Sequence, residues 1–177
     1  AYATSSYDAI LTDTHIDAVL IASRHSEHAS QIIAALNSGK HVFVEKPMAV
    51  TIDECRAIET AVRTSGKRLM VGFNRRFAPI CVTAKKEFEN AGEPLVINIR
   101  VNAGFIPKDH WTQIPEIGAG RVIGEMCHFI DLMQYFTGAE PVKVYADCIQ
   151  SKNEKLKLDD NISVVVKFND GSVGTLT

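Results

Sequence analysis

The first part of the chain alternates apolar, strand-like runs with amphipathic helical stretches. Nearly continuous apolar runs, which are typical of strands covered on both faces, occupy residues 17–22, 41–44 and 68–72. Helical spacing and capping signals predict helices over 27–37 and 51–65, each followed by a glycine of the kind that commonly ends a helix. Strands that alternate with helices through short connections predict a parallel sheet with helices packed on its faces.

After Gly92 the pattern changes. A helix over about 78–90 comes before that glycine, and one more helix is predicted beyond it, over about 121–137. The predicted strands of this second part lie at 95–101, 142–149, 162–168 and 172–177. These elements predict an α+β domain built on a largely antiparallel sheet. The polar segment 151–157 is predicted to be a solvated loop or an extension of a strand.

Composition indicates an ordinary globular protein. Hydrophobic residues make up 46% and charged residues 23% of the 177 residues, and the formal net charge is −2. This charge gives no reason to expect nucleic acid or an acidic membrane surface as a partner. No apolar stretch has transmembrane length, and the four cysteines lack the close pairs of zinc sites. We therefore expect a cytoplasmic protein with free thiols.

The predicted strand at 41–44 ends on Glu45, Lys46 and Pro47. Ligands of open parallel sheets bind outside the carboxyl ends of the strands, and the residue before a proline is held extended. An acid and an amine at this position are therefore aimed into the crevice, which favours a functional site. The alternative is a surface turn with an exposed ion pair of little energetic weight. The Lys46–Pro47 bond is also a candidate for the cis form, which recurs at constrained turns.

Three blocks of the sequence carry a family resemblance. They are AALNSGKHVFVEKP at 34–47, RLMVGFNRRFAP at 68–79 and GAGRVIGEMCHFIDLMQYFTG at 118–138. In this order they resemble blocks of the glucose–fructose oxidoreductase, inositol dehydrogenase and MocA family (Gfo/Idh/MocA). The resemblance implies an N-terminal Rossmann domain for NAD or NADP and a C-terminal domain with an open-faced mixed sheet. It also implies hydride transfer at a hydroxyl carbon of a sugar, cyclitol or related polyol.

The resemblance also implies a domain division. Residues 1–74 are then the C-terminal part of the dinucleotide-binding domain, 75–92 a connecting helix, and 93–177 a substrate and oligomerisation domain. A complete dinucleotide fold has about six strands, twice the number predicted here, and no G-x-G-x-x-G motif occurs in the chain. The chain also stops within a predicted strand. We expect a fragment that lacks the first βαβ unit and is inactive alone.

Several residues match cofactor-lining positions of the family. The residues that the resemblance assigns to the cofactor are Ser23, His28, Glu45, Lys46, Arg75 and Trp111. Lys46 matches a lysine that contacts both the substrate hydroxyl and the nicotinamide ribose. The alternative to a cofactor contact for His28 is that it is an ordinary residue at the start of a helix. Either Arg75 or Arg76 is expected to pack or pair structurally, and the sequence leaves open which.

His128 matches the histidine that takes the proton of the substrate hydroxyl in many relatives. Aligning the chain on His128 puts Gly124 where those relatives carry an aspartate, and Glu125 lies one position later. Residues three apart share a helix face, so Glu125 is a candidate to hold the imidazole and Asp131 a candidate for a structural role. The expected catalytic residues are Lys46, His128 and Glu125, and a hydrogen-bonded core histidine is the alternative for His128.

Two alternatives to a dehydrogenase follow from the same residues. Glu125 and His128 have the i, i+3 spacing of carboxylate-bridged metal sites, but such sites need a second copy of the motif, which the sequence lacks. No metal is therefore expected. The other alternative is a non-catalytic binding or dimerising module of the same fold. A sheet with apolar residues on both faces also predicts a homo-oligomer through its open face.

Overall fold

The structure is a computed structural model that describes residues 2–153 and 160–177. The end of the polar segment predicted at 151–157 lies outside these described residues. The chain divides into two compact units, residues 1–72 with 115–119 and residues 73–114 with 120–177.

Helices and strands are numbered in chain order. The helices are α1 (Tyr7–Thr12), α2 (His25–Asn37), α3 (Ile52–Ser65), α4 (Pro79–Ala91), α5 (Pro115–Gly118) and α6 (Cys127–Thr137). The strands are β1 (Ala18–Ile21), β2 (His41–Val44), β3 (Leu69–Val71), β4 (Val96–Ile99), β5 (Pro141–Cys148), β6 (Ile162–Phe168) and β7 (Val173–Leu176). Two 3₁₀ segments, Asn74–Phe77 and Trp111–Gln113, and a π-helical segment, Val122–Met126, lie between them.

The first unit is built on a parallel sheet, as the sequence predicts. Its strands pair in the order β1-β2-β3, with Ile21 of β1 in register with Val44 of β2. Its core lies where α2 and α3 pack on the sheet, around Ile32, Val44 and Ile58. On the opposite face Leu20 is 69% exposed. The sheet is therefore covered on one face within this unit, whereas the apolar runs predicted strands covered on both.

The ends of α3 agree with the predicted capping signals. The hydroxyl of Thr51 accepts a hydrogen bond from the amide of Glu54, and the Glu54 carboxylate accepts one from the amide of Thr51. Gly66 follows the helix in the left-handed conformation. Helix α1 was not predicted. It has six residues, less than two turns, so Tyr7, Ile10 and Leu11 lie at helical spacing over a stretch too short to distinguish a helix from a loop.

The second unit is built on a mixed sheet, which confirms the predicted fold class. Its strand order is β4-β7-β6-β5. Strand β6 pairs antiparallel with both of its neighbours, whereas β4 and β7 are parallel. Helix α6 packs on the inner face of the sheet, where Met133 meets Val164, Val166, Phe168 and Leu176. The outer face carries the alternate residues of β6, such as the exposed Val165, and β5 at the edge of the sheet is exposed on both faces.

The helix predicted over 121–137 is only partly an α-helix. Its first turn, Val122–Met126, is π-helical, and regular α-helix begins at Cys127. The sequence of this turn explains the difference, because glycine and β-branched residues are weak α-helix formers and the turn contains Val122, Ile123 and Gly124. A π-helical turn holds an additional residue, so it changes which side chains share a face.

The four cysteines are free thiols, as expected. Burial raises the pKa of the Cys55 thiol, and the negative charge of the nearby Glu54 carboxylate raises it further. Within 2–153 and 160–177, no helix is long and apolar enough to cross a membrane.

Gly174 is a point of close approach between α6 and the sheet. A Cβ atom added there would collide with Sδ of Met133, which is itself fully buried. The methionine therefore packs directly against the main chain of β7. Because real Cβ atoms do not approach other heavy atoms so closely, any larger residue would force α6 or the Met133 side chain to move.

We expect Gly174→Ala to lower the free energy of unfolding by about 1–3 kcal/mol, the usual cost of overpacking a core. Urea unfolding would measure this loss. In a Met133→Ala background the space is open, so the same substitution should cost little there. Equal losses in both backgrounds would show that the Met133 contact is not the cause.

Candidate active site

The loops after β1 and β2 emerge at the same edge of the parallel sheet. Because Ile21 and Val44 are in register, Ser23 and the Glu45–Lys46 pair follow strands that end at the same level. The amide of Glu45 donates a hydrogen bond to the carbonyl of Ile21 at 2.9 Å, which holds the start of the second loop. The Lys46–Pro47 peptide bond is cis. The structure therefore brings three predicted site residues to one edge of the sheet.

His28 lies behind this edge, near the start of α2, and its side chain is fully buried. Its Nδ1 atom lies 2.7 Å from the carbonyl oxygen of Pro47, and its Nε2 atom lies 3.1 Å from the carbonyl oxygen of Ser23. The ring thus lies between the two loops. The hydroxyl of Ser23 donates a hydrogen bond to Oε1 of Gln31 at 2.8 Å, so it is positioned from α2 as well.

Gly72 supports the same edge, and sequence reasoning gave it no role. Its amide donates a hydrogen bond to the carbonyl of Val44 at 2.7 Å. A Cβ atom there would lie 3.1 Å from the Phe43 ring and 3.3 Å from the Val44 carbonyl oxygen, closer than most side chains tolerate. The signal for this role is a glycine at the end of the strand predicted over 68–72.

In the second unit, His128 lies in the first turn of α6 and is only 5% exposed. The edge of its ring meets the Phe73 ring, with 6.2 Å between the ring centroids. A nearly enclosed imidazole against an aromatic ring is compatible with a positioned base and also with a core histidine. Both roles that the sequence allowed for His128 therefore stay open.

Arg75 pairs with Glu125. The Nη2 atom of Arg75 lies 3.3 Å from Oε1 of Glu125, and its guanidinium carbon lies 4.5 Å above the centre of the Phe129 ring. Arg75, which belongs to the Asn74–Phe77 segment, thus binds the carboxylate of Glu125, three residues before His128. Because Glu125 belongs to the π-helical turn, the α-helical rule that residues three apart share a face does not describe its direction.

Arg76 pairs with Asp131 through two hydrogen bonds. Its Nε and Nη2 atoms each donate to one carboxylate oxygen of Asp131, and its guanidinium also faces the Tyr135 ring. Asp131 is only 9% exposed whereas Arg76 is 34% exposed, so this is a two-pronged ion pair in which the carboxylate is the buried partner. The sequence left open which of the two adjacent arginines is structural; the geometry gives each of them a carboxylate partner on the π-helical turn or on α6.

Trp111 begins the short 3₁₀ segment Trp111–Gln113 and is half-buried, with the His110 ring 6.0 Å away. Two residues later, the buried Gln113 donates a hydrogen bond to Oδ2 of Asp160 at 2.6 Å. The loop that presents Trp111 is thus fastened to the strand-rich part of its own unit. Among the side chains that the structure describes, no group of three or more His, Cys, Asp or Glu residues is placed to hold a metal ion.

Comparison with known proteins identifies the class. Residues 1–73 match the family model of an oxidoreductase family with an NAD-binding Rossmann fold, and residues 87–177 match the model of the GFO/IDH/MocA C-terminal domain. The first part therefore has the Rossmann fold of an NAD-binding oxidoreductase domain, and the second part is the C-terminal domain of the same family. The chain belongs to the Gfo/Idh/MocA family, which confirms the resemblance of its three sequence blocks.

Individual relatives agree with this membership. The chain is 31% identical to the uncharacterized oxidoreductase YrbE of Bacillus subtilis over 99% of its own length and 52% of that protein. It is 31% identical to the inositol 2-dehydrogenase of Salmonella typhimurium over 80% of its length and 42% of that enzyme. A solved structure of levoglucosan dehydrogenase with NADH superimposes with a TM-score of 0.85 at 30% identity, over 98% of this chain and 50% of that one. The chain thus spans about half the length of the curated relatives it matches.

We expect Asp131→Asn to destabilise the protein by about 1–3 kcal/mol, because the Arg76 guanidinium, which is about one-third exposed, loses a two-pronged charged partner whose own carboxylate is nearly buried. Glu125→Gln is the matched control. It removes the same charge from the Arg75 pair, in which both side chains are about one-third exposed or more, and should cost less than about 1 kcal/mol. Urea unfolding of both variants tests the difference. Equal costs would mean that burial does not distinguish the two pairs.

Proposed function

We propose that the protein is an NAD- or NADP-dependent oxidoreductase acting at a hydroxyl carbon of a sugar, cyclitol or related polyol. The observation that carries this proposal is the Glu45–Lys46–Pro47 turn. It lies at the carboxyl end of a parallel strand, in register with the end of β1, in a chain of the Gfo/Idh/MocA family. This edge is where open parallel sheets bind their ligands.

The chemistry of the loops fits a nicotinamide ribose. Ser23 and Lys46 offer a hydroxyl and an ammonium group, and Glu45 offers a carboxylate that can accept hydrogen bonds from ribose hydroxyls. We assign these three residues, with Arg75 and Trp111, to the cofactor side of the site.

We also assign residues 1–74 to the dinucleotide-binding domain, 75–92 to a connecting helix, and 93–177 to the substrate and oligomerisation domain. The free thiols agree with a cytoplasmic protein.

Oxidation of an alcohol removes a proton from oxygen and a hydride from carbon. The nicotinamide cofactor, when bound, supplies the acceptor for the hydride. We assign the proton to His128, since a neutral imidazole is a suitable base near neutral pH. The ammonium of Lys46 stabilises the negative charge that develops on the substrate oxygen. We give Glu125 a supporting role through its pair with Arg75.

Lys46→Met and His128→Asn test these two roles in the full-length protein, assayed with a panel of cyclitols and aldoses. Lys46→Met keeps the length of the side chain without its charge, and turnover should fall on the order of 10²–10³-fold. The oxidation rate should fall at low pH because a protonated base cannot accept the substrate proton, and for an ordinary histidine this fall is centred at about pH 6.5. His128→Asn should remove the fall.

The exposed Lys86 on α4 provides the control, because Lys86→Met should change neither turnover nor the pH profile. Near-normal turnover of Lys46→Met, or an unchanged low-pH limb in His128→Asn, would contradict the assigned roles. A wild-type protein that binds NADH without turning over any member of the panel would favour a non-catalytic module of the same fold.

We further propose that the protein forms a homo-oligomer through the outer face of the mixed sheet. Tyr145 and Val165 lie opposite each other on that face, and Tyr145 is 66% exposed. Lys143 and Asp147 lie on the same face of β5, two positions before and two after Tyr145. A two-fold axis at Tyr145 would bring Lys143 of each copy against Asp147 of the other, which is the self-complementary pattern of an isologous interface.

A charge exchange tests this interface by sedimentation. Lys143→Asp should weaken self-association, because each copy would then bring two carboxylates together at the axis. Adding Asp147→Lys to the same chain restores opposite charges and should restore association. A monomeric wild type, or a single variant that associates as well as the wild type, would contradict the interface.

A further inference from the structure

His28 is buried between the two loops that form the candidate cofactor edge, and both of its ring nitrogens face main-chain oxygens. Nδ1 contacts the carbonyl oxygen of Pro47 and Nε2 contacts that of Ser23. We propose that His28 is a positioning residue that holds the Pro47 carbonyl and thereby fixes the Lys46 side chain in the crevice. This inference rests on the proposed role of Lys46.

The geometry assigns the proton of the ring. A carbonyl oxygen only accepts hydrogen bonds, and a neutral imidazole has a single N–H group. We assign an N–H to Nδ1, because its separation from the Pro47 oxygen, 2.7 Å, is shorter than the 3.1 Å from Nε2 to the Ser23 oxygen; this assignment holds whether or not Nε2 also carries a proton. The hydrogen bond that matters for the loop is thus the one to Pro47.

The contact with Pro47 is important because proline itself offers the loop no donor. Pro47 has no amide hydrogen, so the main chain cannot anchor this residue by donating a hydrogen bond. On the strand side of Lys46, the Glu45 amide is bound to the carbonyl of Ile21 at 2.9 Å. On the other side, His28 binds the Pro47 carbonyl. Lys46 therefore lies between one anchor from β1 and one from α2.

This role differs from direct contact with the cofactor. The His28 side chain has no exposed surface, and both of its ring nitrogens already face main-chain carbonyls of its own unit. A ligand in the crevice can therefore be affected by His28 through the loop that carries Lys46. Loss of the Pro47 contact should accordingly reduce turnover more than it reduces cofactor affinity, since a displacement of about 1 Å near the reacting groups can cost on the order of 10²-fold in rate.

A pair of substitutions separates the two nitrogen positions. The amide of asparagine is placed about where Nδ1 lies, so His28→Asn keeps a donor for Pro47, whereas the amide of glutamine reaches the position of Nε2 near Ser23. We expect His28→Gln to lower kcat on the order of 10²-fold in the full-length protein, and His28→Asn to recover most of that loss. Because Lys46 is also assigned to the cofactor, the Kd for NADH, measured by fluorescence, should rise in His28→Gln by a much smaller factor than kcat falls, and should stay near the wild-type value in His28→Asn.

His25 provides the matched control. It is a second histidine of the first turn of α2, with its ring 5.8 Å from that of His28, and its Nδ1 atom lies 2.9 Å from the carbonyl of Gly118 instead. His25→Asn should leave kcat within about twofold of the wild type. Equal losses of kcat in His28→Asn and His28→Gln, or a large rise in the Kd for NADH in both, would overturn the positioning role and favour direct cofactor contact.

Two measurements are independent of catalysis. Amide hydrogen exchange at Glu45 should be faster in His28→Gln than in the wild type, even if the protein turns over no polyol, because the loop has lost one of its anchors. Nitrogen-15 shifts of the wild-type His28 ring should show the proton on Nδ1. Unchanged exchange at Glu45, or a proton on Nε2 alone, would overturn the inference. Neither result depends on whether the protein is an active oxidoreductase.

Discussion

Parallel pairing of β1 with β2 is the constraint on which the candidate site depends. Parallel strands end at the same edge of a sheet, and the register of Ile21 with Val44 sets the two following loops at one level. That pairing brings Ser23 and Lys46, which are far apart in sequence, to the same edge. It also leaves room for one buried side chain, His28, to contact both loops. A slip of one residue in β2 would turn its buried side chains to the opposite face and carry the Lys46 turn out of line with the Ser23 loop.

The sequence predicted the local elements well where a chemical signal marks them. The strand at β2 was found with the bounds it has in the structure, because its apolar run stops at a charged pair and a proline. Helix α3 was found from its capping box and the following glycine. The parallel contact between β4 and β7 was not specified, because it joins strands separated by most of a domain and no local pattern records which distant strand lies alongside. The π-helical turn was missed because its apolar positions also fit an α-helix.

The candidate site shows the same limit at the level of side chains. Periodicity placed Glu125, His128 and Asp131 on one predicted helix, and the resemblance placed Arg75 and Arg76 near the same region. Which carboxylate meets which arginine depends on how the Asn74–Phe77 segment packs on α6, a tertiary fact that no spacing in the sequence contains. The burial of His28 is similar. Its position at the start of a helix was visible, but its two carbonyl partners come from loops that meet only in the folded sheet.

The two arginine pairs bear directly on the proposed base. Carboxylates stand three residues before and three residues after His128 along the chain. Here each carboxylate is met by an arginine from the same short segment, Glu125 by Arg75 and Asp131 by Arg76. Both carboxylates are thus paired with arginines of one segment. The adjacent arginines therefore hold the π-helical turn and α6, the helix that carries the proposed base, to the Asn74–Phe77 segment of the same unit.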